Sequence, residues 1–148
     1  MYQLLRIQRV PRPRAEVFAF FADAANLEAL TPPFLAFHID SPLPIEMRPG
    51  AIIDYRLKLH GIPVRWRTVI ESFEPGERFV DTQARGPYRV WHHEHRFRDT
   101  GDGGTEMTDD VHYDLPWAPL GRLAHPLVRR ALRKVFAYRH QVIAARFH

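Results

Sequence analysis

The sequence predicts an α+β fold in which a curved antiparallel sheet of about seven strands surrounds one long C-terminal helix. Two observations carry this prediction. The middle of the chain alternates apolar and polar residues with a period of two, which is typical of half-buried strands. The C-terminal segment changes to a helical period with one broad apolar arc. That arc must be buried against a sheet with one apolar face, and a sheet curved around the helix leaves a cavity.

Length and composition fit a single domain that covers residues 1–148. Of the 148 residues, 45% are hydrophobic and 26% are charged, which is ordinary for a globular protein. There is no cysteine, so disulfides, thiolate metal sites and a cysteine nucleophile are excluded. No apolar stretch near the N-terminus is long enough for a signal peptide or a membrane span. We therefore expect a soluble, cytoplasmic protein.

One strand and two short helices are predicted before the main part of the sheet. An apolar segment around Leu5 and Ile7 indicates the strand. Apolar spacing then indicates short helices over residues 16–21 and 24–30. The side chain of Asp23 can accept hydrogen bonds from the free N–H groups in the first turn of the second helix.

The central segments alternate cleanly and are separated by turns rich in glycine and proline. Strands joined by such short turns pair as antiparallel hairpins. The predicted strands are residues 53–60, 64–71, 79–83, 88–98 and 105–115.

A single amphipathic helix is predicted to end the chain. Pro126 suits the first turn of a helix, where its missing N–H costs nothing, so we expect the helix to begin there and to run for roughly five turns. One arc is apolar: Leu127, Val128, Ala131, Leu132, Val135, Val142 and Ile143. The opposite arc is basic: Arg129, Arg130, Arg133, Lys134 and His140.

The charge is distributed unevenly along the chain. No acidic residue follows Asp114, and the last 34 residues carry +7, which leaves −3 for residues 1–114 out of a total of +4. A basic segment is typical of nucleic-acid or anionic-membrane binding. A solvated helix face explains the same pattern, and we expect no nucleic-acid partner. Contact of this basic helix with a membrane stays open as the less favoured alternative, and it predicts binding that weakens steeply with salt.

Five segments carry a resemblance to a known family: LTPP (30–33), GPY (86–88), WHHEHRF (91–97), DDVHY (109–113) and FAYR (136–139). They resemble bacterial members of the START-like superfamily, and the resemblance extends in order over nearly the whole chain. The superfamily includes polyketide cyclases and lipid-transfer domains and shares the helix-grip fold of the birch pollen allergen. The resemblance implies a hydrophobic or aromatic, lipid- or polyketide-like small molecule held between sheet and helix. It does not identify the activity, because one scaffold hosts carriers, sensors and cyclases.

Strand parity predicts a polar cluster inside the sheet. His93 and His95 share the inward face of one strand, and Asp109 lies on the inward face of the next. An unpaired buried carboxylate costs several kcal/mol, so we expect Asp109 to be either paired or protonated. Arg139, which lies within the apolar arc of the helix, can supply a partner, either in a salt bridge with Asp109 or in a hydrogen-bonded cluster with His93 or His95. The predicted ligand-binding residues are Tyr55, Trp66, Trp91, His93, His95, Asp109, Tyr113 and Arg139.

Three interpretations of this cluster remain open. It pins the helix to the sheet, it binds a polar group of a ligand, or it catalyses a cyclase, aromatase or dehydratase reaction with His93, His95 and Asp109 as candidate catalytic residues. The same three residues could hold a metal ion, but no further imidazole supports this, and we expect no metal and no other cofactor. Asp81 and Gln83 lie on a strand of ambiguous parity and stay outside the predicted site.

Overall fold

The computed structural model describes all residues, 1–148, and confirms the predicted architecture. One seven-stranded antiparallel sheet has the order β1-β7-β6-β5-β4-β3-β2, with two short helices after its first strand and one long helix at the C-terminus. The strands are β1 Tyr2–Val10, β2 His38–Ile39, β3 Ile52–Leu59, β4 Ile62–Glu74, β5 Arg78–Arg85, β6 Val90–Asp99 and β7 Thr105–Asp114. The helices are α1 Arg14–Phe21, α2 Leu27–Leu30 and α3 Leu120–Arg146, and short 3₁₀ turns span Ala24–Asn26 and Pro33–Leu35.

Consecutive hairpins build most of the sheet, and β1 forms one edge by pairing with β7. The predicted inward parity holds on the two strands that carry the polar residues. On β7 every second residue is buried, and Asp109 is one of them. On β6, His93 and His95 are buried while the residues next to them are more exposed. Strand alternation therefore aims these three polar side chains at α3.

Two apolar clusters attach α3 to the sheet. The first joins the C-terminal end of α3 to α1 and to the strands behind it, and the second joins the middle of α3 to β7. Arg139 lies along α3 between Phe136 of the second cluster and Ile143 of the first. Apolar packing therefore encloses the one buried arginine of the helix on both sides along the helix axis.

The predicted start of the C-terminal helix is wrong, because α3 begins at Leu120 and has 27 residues. Pro126 lies inside the helix, where it removes one backbone hydrogen bond. Leu127, predicted on the buried arc, is 56% exposed. Two further leucines of the early turns, Leu120 and Leu123, are also exposed. These turns therefore lack the apolar stripe that identifies a buried helix face in a sequence.

Contacts with β7 and the segment after it stabilise these early turns. The Tyr113 hydroxyl and Nε2 of His125 share a hydrogen bond of 2.9 Å. Gly121 is buried, and a Cβ on it would lie 2.5 Å from the carbonyl oxygen of Pro116. Only a residue without a side chain permits this approach of helix and chain.

Two local predictions hold. The Asp23 side chain accepts a hydrogen bond of 3.0 Å from the backbone N–H of Ala25, although the predicted second helix is divided into a 3₁₀ turn and α2. The basic arc of α3 is exposed. None of the helices combines the length and apolar character needed to cross a membrane.

Candidate functional site

A buried polar cluster lies at the centre of the structure. It contains four of the predicted site residues, His93, His95, Asp109 and Arg139, together with Asp81 from β5. The two histidines are each 5% exposed, and the arginine and Asp109 are 8% and 9% exposed. Three adjacent strands and α3 therefore meet through polar groups in an otherwise apolar interior.

The hydrogen bonds of this cluster run diagonally across the sheet. In the strand register, Asp81 is opposite His93 and Asp109 is opposite His95. The short contacts join the other pairs: His93 Nε2 lies 2.8 Å from Asp109 Oδ1, and His95 Nε2 lies 2.6 Å from Asp81 Oδ2. The imidazole rings stack with centroids 3.7 Å apart. The two carboxylates thus lie on either side of one stacked histidine pair.

Arg139 connects the cluster to α3. Its Nη2 donates to Asp109 Oδ1 over 3.2 Å, so the ion pair expected from the sequence is present. Its guanidinium carbon lies 4.9 Å from the centroid of the Phe21 ring, a cation–π distance. Its Nε is buried without a hydrogen-bond partner.

Burial and pairing oppose each other in setting the charges. Burial raises the pKa of Asp109, but the charge of Arg139 and the hydrogen bonds from both histidines outweigh it and hold that pKa well below its usual range. Burial also raises the pKa of Asp81, but the neighbouring imidazoles outweigh this effect, so the pKa of Asp81 is lowered on balance. Burial lowers the pKa of His93, and repulsion from His95 adds to this effect. Burial also acts to lower the pKa of His95, but its hydrogen bonds to Asp109 and Asp81 raise it on balance.

These directions favour negative charges on both carboxylates and a proton on His95 in preference to His93. In this state Arg139 and His95 balance the two carboxylates. His95 then carries a hydrogen on Nδ1, so the 3.4 Å contact from Arg139 Nη2 to that atom is not a hydrogen bond in this state. The Nδ1 hydrogen instead has Asp109 Oδ1 as its acceptor, also at 3.4 Å. No buried charge is left uncompensated.

An inner cavity of about 70 Å³ adjoins the cluster. Asp81, His95 and Arg139 form its polar wall, and apolar side chains form most of the remainder. Tyr55 also lines it and shares a hydrogen bond of 3.2 Å with Thr68. The cavity can hold a few water molecules, each needing about 10–15 Å³, but it is far below the roughly 300–1,000 Å³ of ordinary ligand pockets.

An outer cavity of about 360 Å³ lies between the first half of α3, the β3–β4 turn and the β5–β6 loop. Its lining is mainly apolar and includes Leu59, Tyr88 and Val128. Two further lining residues, Trp117 and Leu120, are 81% and 66% exposed. Large apolar side chains exposed together are typical of binding surfaces.

An aromatic cluster reaches from one cavity to the other. Tyr55 lines the inner cavity and stacks on Trp66, with ring centroids 5.8 Å apart. Trp66 meets Trp91 edge to face at 5.4 Å. Trp91 and Tyr113 both contact Tyr88, at 4.9 Å and 5.9 Å, and Tyr88 lines the outer cavity. The indole Nε1 of Trp66 is buried without a hydrogen-bond partner.

The eight predicted ligand-binding residues lie half in the polar cluster and half in the aromatic cluster. Tyr55, His95 and Arg139 line the inner cavity. None of the eight lines the outer cavity. Their role in ligand binding remains a prediction.

Sequence reasoning missed Asp81, and the reason is local. Phe79 and Val80 are both buried, and the pairing of β4 with β5 shifts in register between Ile70 and Ser72, so simple alternation does not reveal the inward face. Parity with the large aromatic Phe79 was the signal that could have found Asp81.

Gln83, the other residue left outside the predicted site, closes the β5–β6 loop. Its Nε2 donates to the Tyr88 carbonyl over 2.7 Å, and its Oε1 accepts from the Tyr88 N–H over 3.0 Å. This pair of hydrogen bonds fixes the backbone of Tyr88, whose side chain lines the outer cavity.

Comparison with known sequences assigns the chain to a family. The profile described as "Domain of unknown function (DUF8410)" matches residues 45–147. The chain belongs to this family. The match extends from the segment before β3 to the end of α3, and so it includes the whole polar cluster and both cavities except for the N-terminal residues that contribute to the inner one. A comparison with curated proteins found no match.

Solved structures show the same fold. The Zhui aromatase/cyclase from Streptomyces sp. R1128 has a TM-score of 0.79 at 12% identity, over 98% of this chain and 92% of that chain. TTHA0849 from Thermus thermophilus has a TM-score of 0.74 at 17% identity, over 97% and 99%. A START superfamily protein from Mycobacterium smegmatis has a TM-score of 0.67 at 11% identity, over 99% and 97%. This member of the family therefore has the START-like helix-grip fold.

Proposed function

We propose that the protein binds a hydrophobic or aromatic small molecule in the outer cavity between the sheet and α3. The observation that carries this proposal is the cavity itself, because about 360 Å³ of mainly apolar space falls within the range of ordinary ligand sites. The inner cavity is five-fold smaller and cannot hold a lipid or a polyketide. The fold shared with an aromatase/cyclase and a START superfamily protein supports the same function class.

The lining indicates the chemistry of the ligand. The aromatic ring of Tyr88 and the aliphatic side chains of Leu59 and Val128 favour a flat or aliphatic apolar body. Burial raises the pKa of Tyr88, so its phenol stays neutral and can donate a hydrogen bond. His60 supplies a second polar group in the lining. A mainly apolar molecule with one or two oxygen atoms fits this composition.

A matched pair of variants on α3 tests the proposal. Ala131 is half-buried and lines the outer cavity, whereas Ala137 is exposed on the same helix. Ala131→Trp fills the cavity, so binding of the flat fluorophore 1-aminoanthracene should be lost. Ala137→Trp should leave the affinity unchanged. Equal binding by both variants would place the ligand elsewhere, and no binding by the unsubstituted protein would contradict the proposal for aromatic ligands.

A cyclase or dehydratase activity is a second candidate, and the polar wall of the inner cavity favours it. His95 is oriented by Asp81, and its raised pKa favours the protonated form, which can act as a general acid. The guanidinium of Arg139 lines the same wall and can stabilise a developing enolate oxygen. Because the inner cavity is small, only the reacting part of a substrate would reach these groups.

Turnover separates this candidate from simple binding. His95→Gln should abolish cyclisation or dehydration of a polyketide-like test substrate and should leave 1-aminoanthracene binding in the outer cavity intact. Retained turnover in a folded His95→Gln protein excludes His95 as the acid. Absence of turnover in the unsubstituted protein, together with intact binding, leaves the carrier function alone.

A further inference from the structure

We propose that Asp81, His93 and His95 form a binding site for a divalent first-row transition metal ion. This site goes beyond the ligand binding proposed above. It also departs from the expectation drawn from the sequence, which was that no metal is bound. The triad considered there had Asp109 in the place that Asp81 occupies here.

The donor atoms of the three residues converge. One nitrogen or oxygen from each lies within 4.8 Å of the others. Oδ2 of Asp81 is 2.6 Å from His95 Nε2 and 3.8 Å from His93 Nδ1. Donors held at about 2.0–2.2 Å from one tetrahedral ion are about 3.4 Å apart. The two observed distances lie on either side of this value, and the two imidazole donors are within 4.8 Å of each other, so small side-chain movements are needed to place all three donors on one ion.

Asp109 orients both imidazoles toward this point. Its Oδ1 lies 2.8 Å from His93 Nε2 and 3.4 Å from His95 Nδ1, which are the ring nitrogens that face away from Asp81. Metal-binding histidines almost always donate their second N–H to a carboxylate or carbonyl, which fixes the tautomer and aims the other nitrogen at the metal. One carboxylate here serves both histidines, and the lone pairs of the opposite nitrogens are left for an ion beside Asp81.

The charges of the cluster permit a dication. Arg139 is the nearby positive group that would repel a metal, but its Nη2 is paired with Asp109 Oδ1 at 3.2 Å. The pair of Arg139 and Asp109 has no net charge. Binding of the ion displaces the Nε2 proton of His95 to solvent, so that two neutral imidazoles and the carboxylate of Asp81 are the ligands. That carboxylate balances one of the two charges of the ion.

An open coordination position faces the inner cavity. Asp81 and His95 both line this space of about 70 Å³, which has room for a water molecule or a small oxygen ligand next to the ion. Two imidazoles, one carboxylate and an open position suit Zn²⁺ and Fe²⁺. The geometry therefore points to a reactive rather than a purely structural metal site, because structural sites have no open position.

Titration of chelator-treated protein with Zn²⁺ by calorimetry, and with Co²⁺ by visible absorption, tests the site. One ion per chain is expected. Asp109→Asn should weaken binding roughly 10–100-fold, as is usual for groups that orient a ligand, and Asp81→Asn and His93→Gln should weaken it further. His92→Gln is the matched control, because His92 lies on the same strand, on the opposite face, across from His112.

The outcomes are distinct. Binding that is lost in His92→Gln and kept in His93→Gln would assign the ion to the outer face of the sheet and overturn the proposal. Absence of saturable Zn²⁺ binding would overturn it as well. If the Asp81, His93 or Asp109 variants do not fold, the unsubstituted protein still decides: intense Co²⁺ bands of a four- or five-coordinate site support the proposal, and only weak octahedral bands contradict it. Ala131→Trp should not alter metal binding, which keeps this test independent of the outer cavity.

Discussion

His95 Nε2 lies 2.6 Å from Oδ2 of Asp81, the shortest contact of the buried cluster, although Asp81 faces His93 in the strand register. This diagonal contact, together with its counterpart from His93 to Asp109 at 2.8 Å, connects three strands through their side chains. Each member of the cluster is compensated by another, so removal of any one leaves a buried charge or an unsatisfied polar group.

Neutralising Asp109 should destabilise the protein strongly. Asp109→Asn leaves Arg139 buried without its carboxylate, and breaking a buried ion pair in this way costs about 3–5 kcal/mol. Asp110→Asn, on the same strand with its side chain on the outer face, removes only the charge that faces Arg96 at 4.0 Å and His112 at 3.1 Å and should cost at most about 1 kcal/mol. Urea unfolding of both variants measures the difference. Similar losses would contradict the account of the buried cluster.

The stability of the metal-free protein should be greatest near pH 6.5, the ordinary pKa of histidine. The pKa of His93 is lower in the folded state, so just below pH 6.5 the unfolded chain binds more protons and acidification destabilises. The pKa of His95 is higher in the folded state, so above pH 6.5 the folded protein binds more protons, and stability falls as pH rises through that pKa. The facing carboxylates of Asp81 and Asp109, whose pKa values are lowered, keep their charges in this range.

Thermal unfolding between about pH 5 and 9 in the presence of a chelator checks this pH dependence. His95→Gln should remove the decline on the alkaline side, and His93→Gln should reduce the decline on the acidic side. A stability that rises steadily from acidic to alkaline pH would mean that His95 is not protonated in the folded protein.

Gly121→Ala should destabilise the first turns of α3. The added Cβ would meet the Pro116 carbonyl oxygen at 2.5 Å, and such overpacking costs about 1–3 kcal/mol. In an unobstructed helix the same change stabilises by roughly 0.5–1 kcal/mol, so the sign of the effect is decisive. Ala137→Gly, at an exposed position of α3, measures the helix preference alone and should cost about that amount. A gain in stability for Gly121→Ala would contradict the close approach.

Loosening the β5–β6 loop should weaken ligand binding. Gln83→Leu leaves the backbone N–H and carbonyl of Tyr88 without their partners, at a cost of about 1–3 kcal/mol, and frees one wall of the outer cavity. The affinity for 1-aminoanthracene should fall together with the stability. Thr82→Val, at the adjacent position with the opposite side-chain direction, should leave the affinity unchanged.

Elementary rules predicted the part of the site that lies on regular strands. Alternation places His93, His95 and Asp109 on one inward face, and the cost of an unpaired buried carboxylate identifies Arg139 as the partner of Asp109. The same rules failed for Asp81, because two consecutive residues of β5 are buried and the register with β4 shifts nearby.

The outer cavity was not predictable in this way. Its walls come from segments far apart in the sequence, such as Leu59, Tyr88 and Val128, and one wall is the early part of α3. Because the leucines of those turns are exposed, the turns show no amphipathic periodicity. Pro126 also suggests a later start of the helix. Only the three-dimensional arrangement shows how these segments meet.

Native mass spectrometry of the purified protein tests the central claim, that the outer cavity holds an apolar small molecule. The account predicts a bound lipid or aromatic compound on the unsubstituted protein and on Ala137→Trp, and its absence from Ala131→Trp. A bound compound that persists on folded Ala131→Trp would contradict the claim.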